Sequence, residues 1–392
     1  MITLPTLSQL YNSIKSGIQA ELNVTIPDFG PSFLRTFSIV LAGKLKQYYL
    51  AVGKVQKNIF VDTAEPEASG GTLERFGRVK LNRNPFPAVA GQYSIEVTGS
   101  VGAIIPAQST FKADDSSSSA GKLYILDTEY ELVSTTDTIT VRALEAGLGS
   151  KLLPGDTLTA AQPIALVDSS ATVVSEVVQP LAAEDLEEYR KKAILAYQLE
   201  PQGGAASDYI LWSLDAQGVR KVYPYARSGE SAVVDVFVEA TIADSSDSKG
   251  TPSAATISDV EAVIEFDPDT TKPLYERGRR PLGAFEVNVS AITIKDIDVV
   301  VTGFEGLTTE IESTIENAIV AALYEIRPFV SAADVLANKN DILSVNKIIF
   351  IIQESNPSSV FDEVQLFVDG VEFGTYQFTQ GEIPVLNSIS IS

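Results

Sequence analysis

The sequence predicts a multidomain α+β protein with N-terminal long helices, a small β-domain and two α+β units. Three observations support this. Apolar residues recur every three or four positions up to about residue 60, they alternate with polar residues from Gly91, and both spacings follow one another from about residue 176. The expected segments are 1–60 (helical), 61–87 (connector), 88–175 (β-domain), and 176–283 and 284–392 (α+β units).

The composition fits a folded protein and excludes several kinds of chemistry. The 29 Lys and Arg against 51 Asp and Glu give a net charge of −22, which repels nucleic acid and anionic membranes. The absence of Cys and His excludes disulfides, zinc sites built on these residues and imidazole-based triads. The N-terminus lacks a signal-like segment, and no apolar run is long enough to cross a bilayer. We therefore expect no cofactor, no metal site, no nucleic-acid partner and no membrane insertion.

Two helices are predicted before residue 60. The first begins at a capping box formed by Thr6 and Gln9, and the chain then breaks at Pro27 and at Gly30–Pro31. The second runs from about Ser32 to Asn58, and its apolar residues recur with a mean step of 3.5, the coiled-coil repeat. We number this predicted second helix α2 and call its apolar residues the α2 stripe: Leu34, Phe37, Leu41, Leu45, Tyr48, Val52 and Val55.

The first helix can cover only part of the α2 stripe. One hypothesis is that the second helix joins a bundle with helices from other chains, since burial of so many apolar side chains would stabilise it strongly. The alternative is an intramolecular helical hairpin. The sequence leaves both open.

The β-domain is predicted from strict alternation. Tyr93, Ile95 and Val97 alternate with polar residues, which is typical of a half-buried strand. Further strands are expected at Leu123–Leu126, Ile139–Leu144 and Ile164–Val167, in a sandwich or a barrel. Gly147-x-Gly-Ser-Lys lacks the spacing of a phosphate-binding loop and a following helix, so it predicts a turn.

The segment from Asp185 to Tyr225 combines a helix, a glycine hinge, a short helix and a strand. The hinge reads Pro201-Gln202-Gly203-Gly204, Ser207 is the expected cap of the short helix, and a partner strand is expected from Val233. The chain's single tryptophan is expected to pack inward. We call the following the signature residues: Gly203, Gly204, Tyr209, Trp212, Gly218 and Val219.

The last 109 residues (284–392) predict a second α+β unit. Alternating residues from Phe285 to Val299 predict two strands or one bent strand. A long helix should follow, capped by Thr308 or Thr309. Its expected buried face is Ile311, Ile315, Ala318, Ile319, Ala322 and Ile326. A shorter helix at Ala332–Leu343 and an apolar strand at Val345–Gln353 complete the unit.

No catalytic constellation is expected. Glu187 and Glu188 are adjacent on a helix and point about 100° apart, so they cannot face one substrate bond together. Asp267 and Asp269 flank a proline in a predicted turn. The acidic loop at 244–250 does not have the spacing of a calcium-binding EF-hand loop. The basic run at 276–280 is expected to be a solvated loop.

The order of these motifs resembles the baseplate J-like family, the wedge proteins of contractile phage tails and related injection machines. The match consists of an acidic, Arg-containing helix, a Pro-x-Gly-Gly hinge, a helix with a Tyr and a Trp, and a Gly-Val-x-x-Val strand. The Ile-Pro-Ala segment at 105–107, Arg280-Pro281-Leu282-Gly283 and the Glu-x-Pro-x-Leu ending at Leu386 are similar to further family motifs. Gln108 stands where the family usually has glycine, which questions that tight turn.

The resemblance implies a structural subunit that forms a ring around a central hub and helps transmit the trigger for sheath contraction. It implies partners: copies of the chain itself, a second wedge protein through an N-terminal helix bundle, and neighbouring hub or sheath components. It also implies a location in the virion tail after assembly in the host cytoplasm, and no enzymatic activity. A β-rich tail-spike or adhesin that binds or cleaves host glycans is the alternative.

Overall fold

The computed structural model describes residues 4–27, 29, 32–199 and 203–392. The chain divides into two compact units, Met1–Pro85 with Leu186–Gln198, and Phe86–Asp185 with Leu199–Ser392. Several separate sheets and eight α-helices within the described residues confirm the predicted multidomain α+β class. The predicted break at Gly30–Pro31 and the hinge residues Pro201 and Gln202 lie outside the described residues.

The first unit is helical. Its elements are α1 (Leu7–Leu22), α2 (Phe33–Lys57), α3 (Leu73–Lys80) and α4 (Leu186–Gln198). The predicted capping box begins α1: the Gln9 amide donates to Thr6 Oγ1 at 3.2 Å, and the Thr6 amide donates to Gln9 Oε1 at 2.8 Å. The predicted extent of α2 is confirmed to within one residue at each end.

A close approach joins α3 to α4. A Cβ atom on Gly77 of α3 would lie 1.9 Å from the hydroxyl oxygen of Tyr189 on α4, so a side chain there would collide. The Tyr189 hydroxyl donates to the Arg83 carbonyl at 2.7 Å, and Arg190 donates to the Ala64 carbonyl at 2.6 Å. Helix α4 is thereby fixed to the connector that follows α2.

The β-domain in the second unit is a closed barrel. Its strands and the short pair beside them are β1 (Gln92–Gly99), β2 (Ile104–Ile105), β3 (Thr110–Ala113), β4 (Leu123–Ile125), β5 (Tyr130–Glu131), β6 (Thr136–Ala143), β7 (Thr157–Ala160) and β8 (Val167–Val178). The barrel closes in the order β1-β6-β4-β3-β7-β8, and β2 pairs with β5. The predicted strand at Ile164–Val167 is wrong: that stretch is a turn, and the strand begins at its last residue and runs on to Val178.

The barrel core is organised around two tyrosines. The rings of Tyr93 and Tyr124 meet edge to face with centroids 5.8 Å apart, and their hydroxyls donate to the Ser150 carbonyl at 3.3 and 2.9 Å. Burial raises the pKa of Tyr93 to about 12. The segment Gly147–Lys151 forms the predicted turn and supplies the acceptor that both buried hydroxyls need.

The turn at Gln108 keeps a glycine-like backbone. Gln108 adopts a left-handed conformation (φ 66°), which glycine occupies more readily than other residues. The Gln108 amide donates to the Leu126 carbonyl at 2.8 Å, and the Leu126 amide donates to the Ser109 carbonyl at 2.9 Å. The tight turn is therefore present without its usual glycine, because flanking backbone bonds hold it.

A three-stranded sheet follows the barrel. Its elements are α5 (Ala206–Ser213), β9 (Val219–Ala226), β10 (Val233–Ala240), α6 (Ala254–Glu265) and β11 (Glu286–Ala291). Strand β10 lies in the centre, antiparallel to β9 and parallel to β11. Helices α5 and α6 pack on the sheet. Phe237 belongs to a cluster with Val330 and Ile383 from later in the chain.

The last part of the chain forms a four-stranded sheet covered by helices. Its elements are β12 (Thr293–Thr302), α7 (Thr309–Glu325), β13 (Ile342–Ser344), α8 (Val345–Ser355), β14 (Glu363–Val368), β15 (Val371–Glu372), β16 (Thr375–Gln377) and β17 (Glu382–Ile391). The order is β15-β14-β12-β17, with β17 parallel to β12. Helix α7 has the predicted cap, since the Ile311 amide donates to Thr308 Oγ1 at 3.3 Å.

Two predictions in this region are wrong. The expected strand at Val345–Gln353 is helix α8, because Ser344 caps it and Ile348, Ile351 and Ile352 recur at helical spacing on its buried side. The expected helix at Ala332–Leu343 is irregular, with a left-handed residue at Ala332 (φ 66°) that interrupts any helix.

Candidate functional site

The α2 stripe lies largely at the surface. Phe37 is 48% exposed, Tyr48 is 70% exposed and Val55 is 64% exposed, while Leu41 and Val52 are also exposed. Leu34 and Leu45 are half-buried. Large apolar side chains in a continuous row on one helix are typical of a surface that another protein covers.

Helix α1 packs against a different side of α2. The buried residues of α2 are small: Ser38 and Ala42. A Cβ atom on Gly53 would lie 3.4 Å from the Leu4 side chain. Lys46 donates to the Pro5 carbonyl at 2.8 Å. The two helices thus form a hairpin through small residues, and this hairpin leaves most of the α2 stripe uncovered.

The charges of α2 have a single sign. Between Phe33 and Lys57 the chain carries five basic residues and no acidic residue: Arg35, Lys44, Lys46, Lys54 and Lys57. Lys54 and Lys57 lie 3.9 and 3.5 Å from the Glu65 carboxylate. A basic helix in a chain of net charge −22 favours acidic surfaces as neighbours.

The signature glycines have strict backbone requirements. Gly203 and Gly204 have φ angles of +79° and +114°, and a Cβ on Gly204 would lie 2.5 Å from the Pro281 side chain. The hinge therefore packs against the Arg-Pro-x-Gly turn identified in the sequence. Ser207 does not cap α5: its hydroxyl is buried without a partner, and Asp208 instead accepts from the amides of Gly204 and Ala205.

The aromatic signature residues pack together. The rings of Tyr209 and Trp212 meet edge to face with centroids 5.2 Å apart; Tyr209 is buried and Trp212 is half-buried. Gly218 has a φ of +78° and lies beside Asp244, while Val219 starts β9 and is buried. The two residue sets singled out in the sequence lie in different units: the α2 stripe in the first and the signature residues in the second.

A buried ionic cluster was missed by sequence reasoning. Glu239 of β10 accepts from Arg220 at 2.6 Å, from Arg327 at 2.9 Å and from the Tyr223 hydroxyl at 2.6 Å. The Arg220 guanidinium also lies 3.6 Å from the ring centroid of Tyr324 at the end of α7. Burial acts to raise the pKa of the Glu239 carboxyl, but the charges of Arg327 and Arg220 outweigh it and hold that pKa below its usual value.

The two carboxylate pairs considered in the sequence have basic partners, and for Asp269 this is Lys272 at 3.7 Å. Glu187 pairs with Arg190 at 2.9 Å, and Glu188 pairs with Lys191 at 2.7 Å. Asp267 pairs with Lys272 at 2.9 Å and lies 3.4 Å from Arg279.

The basic run at 276–280 is not simply a solvated loop. Arg279 is largely buried and pairs with Asp215 at 2.8 Å, while Arg280 pairs with Glu265 at 2.8 Å. These contacts anchor the loop before β11 to α6 and to the end of α5. Across the described part of the chain, no group of three acidic side chains is arranged to hold a metal ion, and no helix is long and apolar enough to span a membrane.

These features define a modular structural protein with an exposed helical surface, rather than one organised around a cleft of titratable groups. Comparisons with known proteins agree with that class. Residues 94–179 match the baseplate J-like protein barrel domain, and residues 201–291 match the baseplate J-like central domain. Baseplate protein gp47 of Escherichia phage Mu is 26% identical over 271 residues, which are 69% of this chain and 71% of that protein. The chain therefore contains two segments that are similar to domains of baseplate J-like proteins.

A solved structure has a distant resemblance. It is a cryo-EM structure of the anti-feeding prophage (AFP) baseplate, 6-fold symmetrised, with a TM-score of 0.48 and 11% identity. The alignment covers 98% of this chain and 90% of that chain.

Proposed function

We propose that this chain is a wedge subunit of a contractile-tail baseplate. In this role, copies form a ring around the central hub and help transmit the trigger for sheath contraction. The matches to two baseplate J-like domains and the similarity to Mu baseplate protein gp47 support a structural role in a baseplate. The exposed α2 stripe is the observation that carries the role in assembly, because this surface needs a neighbour to bury it.

The α2 stripe is the proposed contact with other subunits. A helix whose apolar residues recur every 3.5 positions buries them by packing against parallel or antiparallel helices. The neighbours are copies of this chain and a second wedge protein, joined through an N-terminal helix bundle. The five basic residues of α2 favour partner helices with acidic residues beside their own apolar rows.

The second unit supplies the remaining contacts in this proposal. The barrel and the four-stranded sheet each have an apolar core of their own, so they serve as rigid bodies that present surfaces to hub and sheath components. A ring of such bodies joined by large interfaces can switch between two arrangements when a signal changes the contacts.

The chain acts in this role without catalysis. Its acidic candidate residues are occupied in ion pairs that anchor helices and loops, which supports a structural use of these groups. Its place of action is the tail baseplate of the virion, after assembly in the host cytoplasm.

Deletion of the gene that encodes this chain tests the proposal. Without the chain, electron microscopy should show tails that lack baseplates, and re-expression of the chain should restore them. Complete baseplates in the absence of the chain would overturn the proposal.

The contribution of the α2 stripe is tested by complementation with two matched variants. Tyr48→Ser with Val55→Ser changes the stripe, whereas Ile39→Ser with Leu50→Ser changes exposed apolar residues of the same helix outside it. The stripe variant should restore few baseplates and the control should restore most. Equal restoration by both variants would exclude the α2 stripe as the assembly contact.

A further inference from the structure

The barrel carries an exposed apolar surface of its own, for which the proposed function names no particular residues. Three loops meet at the end of the barrel where β1 finishes and β8 begins. They carry Val101 (64% exposed), Val133 (75% exposed) and Leu166 (71% exposed). We call these three residues the barrel tip. At the opposite end of the barrel, the loop at 114–119 carries only serines and aspartates, and Leu153 of a second loop is 52% exposed.

Backbone bonds fix the barrel tip in place. The Ser100 amide donates to the Leu166 carbonyl at 2.8 Å, and the Gly102 amide donates to the Leu132 carbonyl at 2.8 Å. These bonds hold Val101 between the other two loops. A Cβ on Gly99 would lie 2.7 Å from the Leu166 carbonyl oxygen, so glycine permits this close approach. A shallow groove of about 370 Å³ adjoins the tip and includes Leu166 in its lining.

Leu166 is held in an unfavourable backbone conformation. Its φ is +63°, and among the described non-glycine residues with positive φ it is the only one with a large apolar side chain. A bulky residue in the left-handed region is rare and costs conformational energy that the surroundings must supply. Because the Leu166 side chain is mostly exposed, the fold gains little from it. Strain retained at an exposed apolar residue indicates a use outside the fold.

The surroundings of the barrel tip have one sign of charge. Residues 98–104, 131–137 and 163–168 contain Glu131, Asp137 and Asp168 and no basic residue. Burial acts to raise the pKa of Asp137, but hydrogen bonds from the Val133 and Ser134 amides outweigh it and lower that pKa, so this carboxylate stays charged. Contact between two copies through this surface would bring like charges together, which is unfavourable.

We infer that the barrel tip docks a basic segment of a different protein, one that places apolar side chains on Val101, Val133 and Leu166 and Lys or Arg beside Asp137 and Asp168. The apolar centre supplies the contact area, and the acidic border selects the partner and its orientation. The barrel tip and the α2 stripe share no residue, so each is proposed to contact its own partner in the baseplate. The inference relies on the proposed function only for the particle in which the partner is sought.

Site-specific photo-crosslinking in assembled particles tests this inference. The photoreactive residue p-benzoylphenylalanine replaces Val133 in one preparation and Leu153, an exposed leucine at the opposite end of the barrel, in a control. We expect an adduct with a different polypeptide from position 133 only, mapped to a segment with Lys or Arg beside apolar residues. No adduct, an adduct with a second copy of this chain, or equal adducts at both positions would overturn the inference.

Two outcomes separate this inference from the proposed function. Particles that lack the chain altogether contradict the proposed function. Particles that contain the chain but give no adduct at position 133 contradict only the inference about the barrel tip.

A second variant tests the strain argument in the purified full chain. Leu166→Asn removes the apolar side chain and places a residue that tolerates the left-handed conformation. The thermal midpoint of the purified chain should rise by roughly 2 °C. In assembled particles that carry the same substitution, the crosslink from position 133 should be lost. A fall in the midpoint would show that Leu166 serves the fold, and a crosslink that persists would show that Leu166 does not contribute to docking.

Discussion

Helices α2 and α7 have similar apolar periodicity and opposite environments. Both show apolar residues at helical spacing along one face. In α7 the predicted face is buried, with Ile315, Ile319 and the adjoining Ile326 inaccessible to solvent. In α2 most of the predicted stripe is exposed. The difference shows that periodicity identifies an apolar face but does not identify what covers it. Helix α7 lies on a sheet of its own chain, whereas the hairpin of α2 with α1 leaves most of the α2 stripe exposed.

The largest expected effect concerns the buried ionic cluster around Glu239. Glu239→Gln would leave Arg220 and Arg327 buried without their counter-charge, and the loss of one partner in a buried ion pair costs about 3–5 kcal/mol. Guanidinium unfolding followed by circular dichroism measures this loss. The matched control is Asp235→Asn on the same strand, which removes an ion pair with the more exposed Arg227 and should have a much smaller effect. Equal effects of both substitutions would contradict a special role for Glu239.

The stabilisation by Glu239 also predicts a pH dependence. The folded-state pKa of this carboxyl is lowered, so its stabilisation is fully present above the unfolded-state pKa of about 4.3 and is lost as the pH falls through the folded-state value. The difference in unfolding free energy between the wild-type chain and Glu239→Gln should therefore be constant near neutral pH and shrink in acid. Unfolding curves of both proteins across this range provide the measurement. A difference that grows in acid would contradict the sign of the pKa shift.

The next effect tests the buried face of α7 directly. Ile319→Ala removes a fully buried side chain from the C-terminal core and should destabilise the chain by about 2–5 kcal/mol, because a cavity remains. The same denaturant experiment measures it. Val320→Ala, one residue along and half exposed, is the control and should be close to neutral. A loss below about 0.5 kcal/mol for Ile319→Ala would mean that α7 is not part of this core.

A smaller effect is expected on the side of α2 that does face a neighbour in its own chain. Ala42 is completely buried in the hairpin with α1, so Ala42→Leu should overpack this contact and cost about 1–3 kcal/mol. The helical signal in thermal unfolding would report it. If Ala42→Leu were neutral, the close contact between α1 and α2 would be absent in solution.

The smallest effect is expected in the α2 stripe. Tyr48→Ser with Val55→Ser should change the unfolding free energy of the isolated chain by roughly 0.5 kcal/mol or less, since these side chains are exposed. The same pair should impair baseplate assembly. Strong destabilisation of the isolated chain would show that the stripe is already buried within it, and the contrast with α7 would disappear.

Local patterns in the sequence account for much of the fold. The capping box at Thr6, the extent of α2, the alternation in β1 and the buried face of α7 all follow from contacts within a few residues. The prediction failed at α8, because a short apolar run rich in isoleucine fits a buried strand as well as a helix. The hydroxyl of Ser344, which caps this segment, favours the helix.

Contacts between distant residues were not predictable. Glu239 is one acidic residue in an alternating strand, and nothing near it shows that Arg220 and Arg327 converge on its carboxylate. Leu166 is similar, since its strained backbone depends on bonds to the loop that follows β1. The glycine hinge was recognisable from its neighbours, but its contact with Pro281, almost eighty residues later, was not.

The parallel pairing of β17 with β12 has a consequence during synthesis on the ribosome. About 80 residues separate the end of β12 from the start of β17, so at roughly 5–20 residues per second several seconds pass before the last strand emerges. Throughout that interval one edge of β12 is unpaired and the apolar underside of α7 is incompletely covered. The nascent C-terminal domain is thus open to aggregation or chaperone binding until its final strand arrives.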